Sequence, residues 1–453
     1  MDRRGFLRLA GTAGVMAAVG GGCGSGSKEA GRAAATTTTE RPGGGERTLR
    51  IAQLNHFVPA YDNWFDNEFT KRWGEERDVD VIVDHMPYQQ LTPRADTEVA
   101  SQRGHDIFGF ILPPPFEDHV IDHREIVEEV EAKVGKIAPL VERTIVNPKT
   151  GKYVAFSDYW SAKPVHYRAD LWNALQPKVA PDSWDDVLRA ASGLKAAGHP
   201  LGIGMSSDPD SELALTALLG AYGASVQDER GNVVLDRRAT VEAVKMGAAI
   251  FRAGMTDEVF GWDAASNNRL LTDGRTSLIL NPISALRAAE TQDPALAAKI
   301  ALAPFPSGPA GRLGPTSFMG IYVIWRFSGN QDVAKQFLVD LALRAEESLL
   351  RSEFYNLPSF PGAVKDLGAL VAADARSTPP RKYGLLAEAA QWTSNVGHPG
   401  PTNAAMTELT GEFIVSKMFA AAARGELSAE DAVKRAHAQA KPIFDKWRER
   451  GKI

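Results

Sequence analysis

Residues 151–172 read GKYVAFSDYWSAKPVHYRADLW. Both KYVAFS (152–157) and KPVHYR (163–168) have the β-branched and aromatic content of strands, with Tyr159 and Trp160 in the short piece between them. What this pair of strands joins is decided by its surroundings. Upstream, short apolar runs alternate with helical patterns: TLRIAQL (48–54), a helix, VDVIVDH (79–85), a helix, then HDIFGFIL (105–112). That alternation predicts parallel strands linked by helical crossovers. In the first of these helices Phe65, Phe69 and Trp73 recur every four residues, which places them on one buried face. Downstream, Ser183 with Asp186 three residues on forms a capping box. Trp184, Val187, Leu188, Ala191 and Leu194 then trace one helical face, which Gly198 ends. Further helices are predicted over 212–222, 240–253, 332–343 and 428–448, the last bent at Pro442. Strand-like stretches recur at TSLILN (276–281), KIALAPF (299–305) and MGIYVIW (319–325). The chain reads as mixed α/β, with no internal repeat in evidence.

The ends of the chain carry different information. MDRRGFLRLAGTAGVMAAVGG opens with charge and continues into an apolar run over 9–19 that ends in small residues, the layout of a signal peptide. That run is short of the roughly 20 residues that span a bilayer as a helix. Arg3-Arg4-Gly5-Phe6-Leu7-Arg8 resembles the twin-arginine export signal. Cys23, the one cysteine among 453 residues, stands after Gly21 and Gly22, where bacterial lipoproteins place the residue that is acylated. The pattern departs at Gly20, where lipoproteins favour Leu, so a secreted protein with an incidental cysteine is the other reading. A disulfide needs two thiols, and acylation accounts for keeping one in an oxidising compartment. Residues 23–47 are polar, small and glycine-rich, a tether with little to bury. Removal of residues 1–22 takes away Asp2 and three arginines and moves the net charge from −5 to −7. A mildly acidic mature chain lacks the basic patch that nucleic-acid binding requires.

The order of features resembles the extracellular solute-binding proteins of bacterial ABC importers, in the group that includes the maltose- and glycerol-phosphate-binding proteins. GHDIFGF (104–110) is similar to the family's G-x-D-I strand, and residues 151–172 are similar to its segment crossing between lobes. SWDDVLRAASGLKAAG (183–198), LLTDGRTSLILN (270–281) and VAKQFLVDL (333–341) resemble its later landmarks. Two departures concern the ligand more than the fold. The family's Tyr-Asn-Lys-Asp is His166-Tyr167-Arg168-Ala169-Asp170 here, and Pro282 follows Asn281 where glycine and an aromatic are usual.

The resemblance implies a two-lobed periplasmic-binding-protein-like fold of type II, with mixed sheets, flanking helices and hinge crossings. It places crossings near 159–162, 281–283 and 325–328, hence lobe 1 over 48–160 plus 282–325 and lobe 2 over 161–281 plus 326–453. It implies a monomer that binds a small polar solute, most simply a carbohydrate, and presents it to ABC permease subunits on the outer side of the membrane. Glycerol phosphate and polyamines are alternative ligands. No cofactor is expected, and no catalytic residue.

In such a fold the loops leaving the C-terminal ends of strands line the cleft. Asn55, His56 and Phe57 follow the first strand, and an amide, an imidazole and a ring suit a polyhydroxylated ligand; the other reading has Phe57 stapling the next helix and His56 in solvent. Pro113 to Pro115 are expected to form a rigid wall of the cleft. At the first crossing, Tyr159 and Trp160 are candidates, Trp160 either as a stacking platform or as packing between lobes. Ser206, Ser207, Asp208 and Asp210 follow the strand at 201–205 and either reach the cleft or cap the next helix, capping being the stronger reading for Asp210 and the weaker for Asp208. Asn281 and Asn403 are candidates by position, whereas Trp262 and Trp392 read as possible rings or as core. His119 and His123 stand one helical turn apart amid Asp118, Asp122 and Glu125, but nothing supplies a third metal ligand at a set distance. No nucleophile elbow or phosphate loop is present. Paired carboxylates are plentiful enough that a secreted glycan hydrolase stands as the reading of another class.

Overall fold

The computed structural model describes residues 47–453 apart from 111, 113, 114 and 264, with the backbone alone at 317 and 318. The export signal, Cys23, the tether, and the prolines at 113 and 114 lie outside the described residues.

Two sheets organise the chain. In the larger, β1 (Arg47–Leu54) pairs in parallel with β2 (Val79–Met86) and with β3 (Ile107–Phe110). The alternation of apolar runs and helices was therefore read correctly. The first crossover buries Trp64, Phe65, Phe69 and Trp73, and their rings meet Phe337, whose centroid lies 5.1–6.0 Å from those of Trp73, Phe69 and Phe65. Such ring clusters dominate core energetics because each side chain removes a large apolar area from water. β4 (Phe156–Ala162) also belongs to this sheet, whereas β5 (Val165–Arg168) belongs to the smaller one. The opening stretch thus does carry the chain from one sheet to the other, at Lys163-Pro164.

The smaller sheet contains β6 (Leu201–Gly202), β7 (Leu278–Leu280) and β8 (Ile300–Ala303), in the order β6-β7-β5-β8. A short ribbon follows, β9 (Ser307–Gly308) with β10 (Gly311–Arg312). The long β11 (Gly314–Ile324) then returns to the larger sheet, antiparallel to both β3 and β4. β12 (Leu357–Pro358) adds to the edge beside β4, and β13 (Thr393–Ser394) pairs with the start of β11.

Two expected crossings move. After Asn281 the chain makes the helix Ser284–Gln292 and re-enters the same small sheet as β8 beside β5, so the passage to the larger sheet falls between 303 and 314. After β11 the helix Gln331–Ala342 packs on β4 and on the helix Arg124–Val134, staying with the larger sheet. The last passage lies between β13 and the helix Ala404–Gly411, which packs on the helix Pro209–Ala221. By strand membership, 282–303 goes with the second lobe and most of 326–394 with the first, opposite to the sequence expectation. A helix that returns a strand to its own sheet looks, in sequence, like one that leaves it. The capping box at Ser183 and Asp186 is present, and the helix Ala429–Glu449 runs continuously through Pro442.

Candidate ligand cleft

The C-terminal ends of β1 and β3, with the middles of β4 and β11, surround a small pocket. Its walls include Gln53, His56, Phe57, Tyr159 and Tyr322. Three of the sequence candidates therefore meet here.

Their roles differ from those expected. The His56 ring is saturated by protein: Nδ1 accepts the Val58 N–H at 3.0 Å, so Nε2 carries the hydrogen and donates it to Asn356 Oδ1 at 2.9 Å. Burial pushes its pKa down to about 4, so the ring is neutral. Ring centroids of Tyr61, Tyr355 and Tyr159 lie 4.4, 5.0 and 5.9 Å from it. Half-buried, His56 is the post around which three tyrosines are set, with both ring nitrogens engaged by the protein. Phe57, 41% exposed, stacks on Tyr355 at 6.0 Å and borders the pocket. Asn55 is exposed, its N–H on Met86 O.

Tyr159 reaches the pocket through a bulge. Met319 pairs with Trp160 and Ile321 with Ser157, so Asp158 and Tyr159 together oppose the single residue Gly320. A bulge of this kind re-aims a side chain beside a site. Gly320 is required, because a Cβ there would lie 2.2 Å from Asp158 Oδ1 and 2.5 Å from the Tyr159 ring. Trp160 points the other way, buried with its indole N–H on Pro358 O. Packing, not stacking on ligand, is its role.

The second lobe supplies a facing group. Asp208 is the N-cap of the helix Pro209–Ala221, its Oδ1 accepting the N–H groups of Asp210 and Ser211 and its Oδ2 the Ser206 hydroxyl. It has no capacity left for a ligand. Asp210, for which capping was the stronger reading, instead lines a pocket together with Asp208, Trp262, Asn267 and Gly204. Its Oδ1 accepts from Lys163 Nζ at 2.5 Å and its Oδ2 from Asn267 Nδ2 at 3.2 Å. Asn281 supports this group from behind, donating to Asn268 and Asn267. Ser207 is exposed at the rim. The two halves meet at Tyr355, whose hydroxyl lies beside Ser161 and feels the Asp210 charge.

Asn403 is elsewhere. Its Oδ1 caps the helix Ala404–Gly411 at the Met406 N–H, its Nδ2 donates to Gln227, and it borders a separate pocket with Trp447 and Lys452. His123 is buried and neutral, bonded to Tyr153 O and to the Ile324 N–H, and no group of metal-ligating side chains occurs among the described residues. Sequence reasoning missed Gln53, Lys163, Tyr355 and Asn356. Tyr355 and Asn356 are placed by two successive non-glycine residues with positive φ, Glu353 (56°) and Phe354 (71°), a conformation that no local pattern announces.

This geometry agrees with comparison to known proteins. The chain belongs to the bacterial extracellular solute-binding proteins, whose family model matches residues 59–346. Among solved structures, a T. maritima protein with maltose bound has a TM-score of 0.71 at 19% identity, covering 87% of this chain and 99% of that one. A sugar transporter of Arthrobacter chlorophenolicus A6 with laminaribiose bound has 0.71 at 16%, covering 87% and 99%. A Synechococcus protein titled as an oligosaccharide periplasmic-binding protein has 0.73 at 19%, covering 88% and 99%. These likenesses show the fold, that of the two-lobed periplasmic binding proteins. A Brucella abortus protein named as a binding protein is 22% identical over 181 residues, 39% of this chain and 44% of that relative. The match spans less than half of the relative's length.

Proposed function

We propose that this protein captures a small neutral carbohydrate between its lobes and delivers it to an ABC permease. The carrying observation is the cleft's balance of groups: rings and neutral polar atoms on one side, and on the other a carboxylate whose charge Lys163 already offsets. Sugars ask for this combination, since their faces pack on aromatic rings while their hydroxyls need both donors and acceptors. A phosphate would need an unpaired cation; His56 is neutral and Lys163 is taken. A polyamine would need uncompensated carboxylates, and Asp210 is not one. The sugar-bound relatives lend support to the same reading. Ligand contact with both lobes would stabilise their closed arrangement, which a permease could recognise. In this reading the protein is exported, held at the outer face of the membrane through acylated Cys23, and has no catalytic role.

A thermal-shift panel of mono- and disaccharides, polyols, glycerol 3-phosphate and spermidine tests the proposal. Stabilisation by a sugar with no product formed is expected. Stabilisation by glycerol phosphate or spermidine alone would overturn the carbohydrate assignment, and hydrolysis of a glycan would overturn binding without turnover. The intact mass of the mature N-terminus decides the anchor.

A further inference from the structure

Asp158 is an unusual residue to find on a strand that leads from one lobe to the other. It sits in the bulge of β4, 4% exposed, behind Gly320 and Tyr159, both of which line the first-lobe pocket. Its carboxyl accepts the main-chain N–H groups of Asp158 and Tyr159, while Oδ1 has no hydrogen-bond partner among the described residues. Oδ1 occupies the notch that the missing Cβ of Gly320 leaves open. Among the described residues, the titratable groups that feel its charge are tyrosines: Tyr159 on its own strand, Tyr322 on β11 and Tyr61 on the helix Pro59–Trp64. Asp62 acts on Tyr159 and Tyr322 from the same helix, and His56 packs on Tyr61 and Tyr159. None of these is a cation at neutral pH. An ionised carboxylate here would be a buried, unpaired charge, which proteins avoid by keeping the proton.

We propose that Asp158 serves the site as a neutral carboxylic acid, a positioning residue that fills the notch beneath Gly320 and Tyr159 and whose ionisation sets the alkaline limit of the site. The proposal rests on the first-lobe pocket being the ligand site. Desolvation pushes the Asp158 pKa up to about 8, so the proton is kept at neutral pH and given up in mildly alkaline medium. Burial holds the three tyrosines well above their ordinary range, and His56 has titrated far below. Desolvation raises Asp62 above its usual value. His85, beside Asp62 and Asp66, is also raised, but it remains in any variant at position 158 and cancels in the comparison. A ligand filling the pocket excludes further water from Asp158 and tightens its hold on the proton. Binding therefore keeps a proton that the free protein releases above pH 8, and affinity falls by up to about tenfold per pH unit there.

The test compares the wild type with Asp158→Asn and Asp158→Ser, both permanently neutral at this position. Without ligand, the sign follows from a folded pKa above the unfolded 3.8: stability from the retained proton is full below the unfolded value and lost as pH rises, the loss being complete past about 8. The wild type should therefore lose melting temperature relative to both variants over that range and level off above it. With maltose, laminaribiose or another sugar from the panel as probe, the ratio of affinities at about pH 7 and about pH 9.5 should exceed tenfold for the wild type and stay near one for the variants. Parallel melting profiles, or an equal alkaline loss of affinity in all three, would overturn the proposal. If no sugar binds, the carbohydrate reading falls, while the melting profiles still decide whether Asp158 is the neutral acid.

Discussion

Lys163→Met probes the ion pair at the passage between the two sheets. Lys163 begins the passage from β4 to β5, and its side chain is 0% exposed where its ammonium meets Asp210, itself 12% exposed. Removal of one partner of a buried pair costs about 3–5 kcal/mol, because the other charge is left without compensation. The two ends of this pair should not be equal. After Lys163→Met, Asp210 keeps the Asn267 amide and a little solvent, so the loss should fall near about 3 kcal/mol. After Asp210→Ala, the wholly buried ammonium keeps only the main-chain carbonyl of residue 210 at 3.4 Å, and the loss should approach about 5 kcal/mol. The double variant removes both charges, and replacement of a buried pair by neutral groups is often close to neutral, within about 1 kcal/mol. Urea unfolding of the four proteins gives the cycle, and the coupling should exceed about 3 kcal/mol. Single losses under about 1 kcal/mol that add in the double variant would refute the burial argument, since that is the behaviour of a solvated pair.

Other outcomes follow from the same structure. Gly320→Ala puts a Cβ 2.2 Å from Asp158 Oδ1; melting should show an overpacking loss of about 1–3 kcal/mol, and sugar affinity should fall with it. Phe57→Ala removes a ring stacked on Tyr355, so urea unfolding should show a loss of about 0.5–1.5 kcal/mol while sugar affinity drops by roughly tenfold, the worth of one aromatic face. Glu98 is buried between His105, Arg94 and the Trp325 indole; its pKa is lowered despite burial, which pulls the other way, because those hydrogen bonds favour the carboxylate, and His105 is raised by Glu98 and Asp84 against the same opposing burial. The His105 contribution is full below its unfolded 6.5 and lost as pH rises through the raised value; that of Glu98 is full above its unfolded 4.5 and lost as pH falls through the lowered one. Glu98→Gln should therefore cost most stability between those two unfolded values, measured as unfolding free energy against pH.

Periodic features were legible in the sequence because burial imposes them. The strands β1 to β3, the ring stripe of Phe65, Phe69 and Trp73, and the Ser183 capping box each follow from spacing alone. Of the cleft, the loop after β1 was legible because strand ends in such folds face the ligand, and Tyr159 because it precedes the passage between sheets. What failed was orientation. Alternation along β4 could not tell which of Tyr159 and Trp160 faces the pocket, since that depends on a bulge set by Gly320, far away in sequence. Asp210 was read as a cap, because either aspartate fits an N-terminal turn until Lys163 is placed. Tyr355 closes the cleft from a segment shaped by backbone strain, which carries no periodic signature. The return of β8 to its own sheet was missed because a helical connection does not reveal which side it comes back to.

Calorimetric titration of the protein with the sugar panel, glycerol 3-phosphate and spermidine tests the central claim most directly. The account predicts saturable one-to-one binding of a neutral sugar that is weakened by Phe57→Ala and by Gly320→Ala. Saturable binding of the phosphate or the polyamine with no sugar bound, or sugar binding indifferent to both substitutions, would contradict it.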